Sequence, residues 1–301
     1  NMRKLSYPGR SNILAQNGMV ATSNPLSSMV AINVLQRGGN AVDAAIAASA
    51  VQAVVCPSAT GIGGDCFAII SMNGKKPIAV NGSGIAPKKA NLQFYKDNKI
   101  KNIGLTSPHS VTVPGAVHAW CSMHEKFGRI DFKEVLSGAE NFARKGFPVH
   151  EVEAIAWKEN EKKLKKNPNS KRLFLNKNLS YSYGEVFKNI PLANTLRIIS
   201  KNKIKGFYQS EITKDMVKTL NKLGGLHTEE DFYNQKTLFS KTITNSYRNL
   251  KIHQCPLNSP GLVVLMMMAM TEKLNIKKYH SSSFERYHLQ AEISKICFEV
   301  K

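Results

Sequence analysis

The chain has 301 residues, 42% of them hydrophobic, enough to bury a substantial core in one or two domains, and its formal net charge of +21 makes the surface strongly basic. No apolar run reaches the roughly 18 residues that a membrane-spanning helix needs. Residues 1–17 carry Arg3, Lys4 and Arg10 but no continuous apolar segment; a secretory signal is not expected, and the sequence reads as cytoplasmic with no membrane partner.

The first element expected is a short strand over Met19–Thr22, followed by a helix capped by Ser27 or Ser28 and running to about Gln36. Gly38 and Gly39 can take the left-handed conformation that ends this helix, and Asn40 can start the next. Ala41–Val55 is then a small-residue helix able to pack closely, stopped by Pro57. Gly61, Gly63 and Gly64 permit backbone angles and approaches that a side chain forbids, and deliver the chain into the apolar strand Cys66–Met72. Asn73-Gly74 signals a hairpin and Pro77–Val80 is the returning strand, leading into Asn81-Gly82-Ser83-Gly84-Ile85-Ala86-Pro87.

After a loop over Gly104–Ser110, Pro114-Gly115 opens a helix through about Phe127, and Asp131–Lys145 forms another, ended by Gly146. A basic, helical section extends to roughly Lys205, with its densest charge in Lys158–Arg172. That segment has no interleaved aromatics and no recognised binding motif, so it is expected to be a solvated helix and loop and no nucleic-acid partner is assigned. A helix over Ile212–Leu223 closes at Gly224-Gly225, Thr228 caps a short turn through Glu230-Asp231, and Thr242–His253 supplies strands around Tyr247-Arg248. Val263–Met270, with Leu274, is an apolar helix whose consecutive Met266, Met267 and Met268 point in all directions, which predicts burial all round. Arg286–Lys301 reads as an amphipathic helix with Tyr287, Leu289, Ile293, Ile296, Cys297 and Val300 on its apolar side and no stop signal.

The five cysteines are odd in number and scattered, and neither they nor the eight histidines show a disulfide or metal spacing. No metal site is therefore expected. Cys66 and Cys297 lie in apolar stretches and read as small core residues.

Read together, Arg37-Gly38-Gly39-Asn40-Ala41-Val42-Asp43-Ala44-Ala45, the downstream Gly61-Ile62-Gly63-Gly64-Asp65-Cys66-Phe67 and the Ala86-Pro87 that follows the second strand resemble the large subunit of gamma-glutamyltransferases, members of the N-terminal-nucleophile hydrolase superfamily. Val113-Pro114-Gly115-Ala116-Val117, Ala143-Arg144-Lys145-Gly146-Phe147-Pro148-Val149, Gly206-Phe207-Tyr208, Leu223-Gly224-Gly225-Leu226 and Pro256-Leu257-Asn258-Ser259-Pro260-Gly261 follow in the family's order. The resemblance covers nearly the whole chain. It implies an α+β fold, the αββα sandwich of N-terminal-nucleophile hydrolases, with residues 1–301 forming a partial large subunit of a self-cleaving precursor. It further implies a threonine nucleophile at the start of a small subunit that lies beyond this chain, an amide or gamma-glutamyl small-molecule substrate, no cofactor, and a role of the glutathione-metabolism type. The small subunit from the same precursor is the implied partner, and a homo-oligomer of such heterodimers is left open.

Two departures qualify the resemblance. The family's arginine that binds the substrate α-carboxylate aligns with Ser83, and a neutral hydroxyl cannot make a bidentate pair with a carboxylate. With Asp65 after the glycines and the Asn-Gly-Ser-Gly run, the chain is similar instead to the branch that includes oxamate amidohydrolases, although that branch often has an arginine where Ile85 stands. Asn81, Ser83 and Gly84 are accordingly the expected substrate-binding residues, with Arg129 and Arg248 as candidates for a compensating cation. No residue matches the nucleophile, so no catalytic residue is assigned within the chain, which is expected to be an N-terminal part of a precursor, inactive alone. A non-catalytic scaffold of the same fold and a basic nucleic-acid-binding protein stand as alternatives.

Overall fold

The computed structural model describes residues 12 to 300; part of the N-terminal segment read above, and Lys301, lie outside them. Asn24 caps the first helix, α1 (Pro25–Gln36), through its side-chain oxygen on the Leu26 N–H, with Pro25 in the first turn. This corrects the expected start. Ser27 is instead buried within α1, where its hydroxyl donates to the Ala48 carbonyl. Met19–Thr22 also differs from expectation: the segment lies beside residues of α2 and pairs with no strand among the described residues. Gly38 at φ +90° ends α1 as expected.

The helix α2 (Ala41–Val55) has the predicted bounds. Asn40 caps it, and Asp43 reaches back to the Asn40 N–H to complete a capping box. Asp43 is fully buried; it also accepts the Arg129 N–H at 3.0 Å and lies 3.8 Å from the His124 ring. Its run of alanines lets α1, α5 (Phe132–Lys145) and α4 (Ala116–Phe127) pack against α2, which makes it the axis of the main core.

The strands β1 (Cys66–Ile70) and β2 (Ile78–Gly82) form the expected antiparallel hairpin, with Cys66 opposite Gly82. After the short α3 (Leu92–Asp97) and helices α4 and α5, Phe147–Pro148 (β3) pairs with Val186–Phe187 (β4), enclosing α6 (Glu151–Lys165) and α7 (Pro168–Phe174). Within this basic section Trp157 packs on Phe174, Tyr181 and Phe187, while the lysines of α6 and α7 face solvent. Glu161 takes Lys165 at 2.7 Å, the Ser180 N–H at 3.0 Å and Lys158 at 3.4 Å, and these bonds, Lys165's first and Ser180's next, hold its carboxyl down at about 2.

The helix α8 (Ile190–Tyr208) breaks at Lys203, φ +50°, before α9 (Glu211–Lys222) and α10 (Glu229–Tyr233). Thr228 caps α10 in a capping box with Asp231, as expected. The strand β5 (Leu238–Lys241) then joins the first hairpin, giving a three-stranded antiparallel sheet in the order β1-β2-β5. The strands β6 (Ile243–Tyr247) and β7 (Leu250–Gln254) form a separate hairpin whose turn residues, Arg248 and Asn249, both have positive φ, the geometry of a tight hairpin turn.

The methionine-rich helix α11 (Gly261–Lys273) is not buried all round. Only Gly261, Val263 and Leu265 are buried, and its four methionines are half-buried, packing in part on Ile293 and Cys297 of α12 (Phe284–Glu299) in a second, smaller core. Burial in a helix is set by how many neighbouring elements surround it, and among the described residues α11 has neighbours mainly in β6, β7 and α12. On α12, Tyr287, Ile296 and Val300 are exposed while Ile293 and Cys297 are buried. No described helix is long and apolar enough to cross a membrane.

Candidate functional site

The end of β2 carries the three predicted binding residues. Three glycines bring its backbone against the start of α4: a Cβ on Gly115 would fall on the Gly82 carbonyl, one on Gly84 on the Val113 carbonyl, and one on Gly82 on the Ala119 side chain. Gly84 also needs φ +79°, the left-handed region. The Val113 N–H donates to the Ile85 carbonyl at 2.9 Å, so this crossing is hydrogen-bonded as well as close.

The glycine loop before β1 caps α4. Gly64's carbonyl accepts the Gly115 and Ala116 N–H groups at 2.9 and 3.0 Å. From the other side the buried Tyr208 hydroxyl donates to the Pro114 carbonyl at 2.7 Å and accepts the His118 N–H at 2.9 Å. Burial pushes the phenol's pKa up, so it stays a neutral donor. Tyr208 belongs to the Gly206-Phe207-Tyr208 string, and its place here shows what that string does structurally.

On this frame Asn81, Ser83 and Asn258 form one polar network. Asn81 Nδ2 donates to Asn258 Oδ1 at 2.9 Å, Asn258 Nδ2 lies 3.1 Å from Ser83 Oγ, and the Ser83 N–H donates to Asn81 Oδ1 at 3.0 Å. Asn81 and Ser83 are half-buried and Asn258 is exposed, so the network faces an accessible surface. Gly84 shapes this end of the loop through its positive φ. Asn258 was not singled out from the sequence; the Pro256–Gly261 string that holds it was the available signal. Ser259 fixes that string by donating to the Cys255 carbonyl at 2.7 Å and accepting the Gly261 N–H at 3.1 Å.

Two further contacts hold the loop after Gly84. Gln235 Oε1 accepts the Ile85 N–H at 3.1 Å and Asp231 Oδ1 accepts the Lys88 N–H at 2.9 Å. Burial pushes the Asp231 carboxyl up, but the Lys88 and Thr228 hydrogen bonds outweigh it and leave the pKa below its ordinary value.

Among the described residues, no arginine or lysine donates a hydrogen bond to Asn81, Ser83 or Asn258. Arg248 lies with its guanidinium over the Tyr247 ring, and the Arg129 N–H is bound to Asp43; neither is brought to the network by these contacts. The network therefore offers neutral donors and acceptors. The nearby Cys66 thiol is pushed up to about 11, first by burial and then by Asp65, and burial pushes Cys121 to about 12, which leaves both protonated and poorly nucleophilic at neutral pH. Side chains able to hold a metal lie together elsewhere, at Cys56, His150 and Glu153.

His227 and His118 flank the crossing. His227 Nε2 is 2.9 Å from the Val111 carbonyl, and His118 Nδ1 is 2.8 Å from the Thr237 hydroxyl. Burial is the main cause holding both below the ordinary histidine value. The unfolded chain then takes up protons near pH 6.5 that the folded one refuses, so this stability is complete above that pH and is lost as pH falls through the folded values. The urea midpoint should be lower at pH 5.5 than at pH 7.5; equal midpoints would show that the two rings are not held neutral by the fold.

Residues 27–301 match the family model described as gamma-glutamyltranspeptidase. The chain is 31% identical to a protein named glutathione hydrolase-like YwrD proenzyme from Bacillus subtilis, over 95% of this chain and 55% of that protein. It superposes on the crystal structure of Helicobacter pylori gamma-glutamyltranspeptidase with a TM-score of 0.89, at 28% identity, covering 96% of this chain and 84% of that one. It superposes equally on a cephalosporin acylase from Bacillus halodurans, with a TM-score of 0.88 and 31% identity, over 99% of this chain and 56% of that one. The chain spans about half the length of the curated relatives it matches.

Proposed function

The chain belongs to the gamma-glutamyltranspeptidase family, with the α+β fold of its N-terminal-nucleophile hydrolases, and from that premise we propose that it supplies the scaffold and one pocket wall of a self-processing amidohydrolase. In this reading the nucleophile is a threonine at the start of the small subunit. Its hydroxyl attacks the amide carbonyl, its own α-amino group takes the proton, the amine leaves, and water releases the acyl group. An oxyanion site is required for both steps. The residues described here position substrate and take no part in the proton transfers.

The observation that carries the substrate assignment is the neutral Asn81, Ser83 and Asn258 network at the carboxylate-binding position. It suits an amide whose acyl part is smaller or less anionic than a gamma-glutamyl group, as in the oxamate amidohydrolase-like branch. Similarity to a protein named as a cephalosporin acylase supports a pocket not confined to gamma-glutamyl compounds. The full gene product, expressed and purified, is expected to cut itself into two chains, the second beginning with threonine, and to hydrolyse oxamate or other small amides with a kcat/KM at least about tenfold above that for gamma-glutamyl anilide. Failure to cleave itself overturns the self-processing assignment, and a preference for the glutamyl compound overturns the substrate assignment.

A further inference from the structure

Away from the polar network, Cys56 ends α2, His150 caps the start of α6, and Glu153 lies in the first turn of the same helix. They are 94 and 97 positions apart from Cys56 in the chain, so no sequence spacing could join them. In the fold, one ligand atom from each lies within 4.8 Å of the others. Cys56 Sγ is 3.7 Å from His150 Nε2. Two ligands on one tetrahedral zinc ion, with bonds of about 2.3 Å to sulfur and 2.0–2.1 Å to nitrogen, stand about 3.5 Å apart.

The electrostatics point the same way. Glu153 is 3% exposed, and among the described residues no lysine, arginine or histidine forms an ion pair with it. Its oxygens accept the Ser58 N–H at 2.9 Å and the Ser58 hydroxyl at 2.8 Å, and the α6 N-terminus contributes a partial positive charge. These orient the carboxylate without neutralising it, and a buried carboxylate is costly without a full counter-charge. Asn24 Nδ2, at 3.5 Å, orients the Cys56 sulfur in the same way. One divalent ion with a thiolate, a carboxylate and a neutral imidazole sums to zero charge, which suits a buried position.

We propose that Cys56, His150 and Glu153 form a binding site for a thiophilic divalent cation of the zinc class. Binding releases the Cys56 thiol proton to solvent. The imidazole proton moves from Nε2 to Nδ1, which gives up the long 3.4 Å contact from the Glu153 N–H to Nδ1. A cavity of about 150 Å³, lined by Ser58, Glu153, Trp157, Asn160 and Lys163, adjoins the carboxylate, and water is the fourth ligand that three protein ligands leave a place for. Three protein ligands and a water make the site open. Because Cys56 begins the loop that leads to Gly64, the ion would tie that loop to α6 and steady the carbonyl that caps α4.

The test uses cobalt(II) and zinc(II) on the full-length gene product. One equivalent of cobalt is expected to give a thiolate charge-transfer band and tetrahedral d–d absorption, displaced by zinc. Cys56→Ser should abolish the charge-transfer band, Cys297→Ser should keep it, and His150→Gln should weaken zinc at least tenfold in competition with a chromophoric chelator. X-ray absorption at the zinc edge of the unaltered protein covers the case of a variant that does not fold. It should show one sulfur at about 2.3 Å with nitrogen and oxygen at about 2.0–2.2 Å. No band, a band that survives Cys56→Ser, or a shell without sulfur overturns the site.

Discussion

Gly115→Ala should lower the stability of the protein by about 3 kcal/mol or more, a large part of the margin of an ordinary domain. The added methyl group has nowhere to go. It would overlap the Gly82 carbonyl oxygen and crowd the Gly84 nitrogen, and both are backbone atoms that cannot swing away as a side chain does. Nor can α4 retreat, since Tyr208 holds Pro114 and His118 from one side and the Gly64 carbonyl holds Gly115 and Ala116 from the other. Relief requires breaking one of those bonds or moving the loop that carries Ser83. Gly61→Ala is the control, because no atom lies within 4 Å of its Cβ position; it should stay within about 0.5 kcal/mol of the unaltered protein. Urea unfolding of both variants decides the matter. Equal midpoints for Gly115→Ala and the parent would mean that the crossing is looser than its geometry.

Ser83→Arg in the full-length protein should raise kcat/KM for gamma-glutamyl substrates by about tenfold to a hundredfold, the equivalent of about 1.5–3 kcal/mol for charge-assisted hydrogen bonds to a carboxylate. Ser83 is half-buried on an accessible surface, and its hydroxyl spends its hydrogen bonding on Asn258. A guanidinium at this position would extend past that network and offer the bidentate fork that serine lacks. Oxamate should gain less, because its carboxylate is bonded directly to the amide carbon, without the three carbons that separate the two in a gamma-glutamyl group. An Asn258→Ala variant separates positioning from charge. It removes the partner of both Asn81 and Ser83 and should raise KM for every amide without creating a preference. A parent enzyme already efficient on glutamyl substrates, with no gain in the arginine variant, would sink the role given to Ser83.

Local chemistry made much of this molecule legible in its sequence. Asn40 with Asp43 three residues on, Asn73-Gly74, Gly146 after Lys145, and Thr228 with Asp231 each act over a few residues, and the elements they mark appear where expected. The start of α1 was misplaced: Ser27 or Ser28 was expected to cap it, and Asn24 followed by Pro25 does so. The motif strings likewise pointed to the family whose model the chain matches.

Other features depend on distant segments meeting, and tertiary structure alone decided them. Met19–Thr22 has the composition of a strand but no strand paired with it among the described residues, and a β-ladder needs a partner. The methionines of α11 have core composition, while their burial depends on how many elements surround them. Asn258 reaches Asn81 and Ser83 across more than 170 residues, and the Gly82, Gly84 and Gly115 crossing joins a strand end to a helix start. Cys56, His150 and Glu153 meet because the end of α2 packs beside the start of α6. Sequence determines propensities, caps and turns through short-range sterics and hydrogen bonds; which side chains share a site is set by the packing of the whole chain.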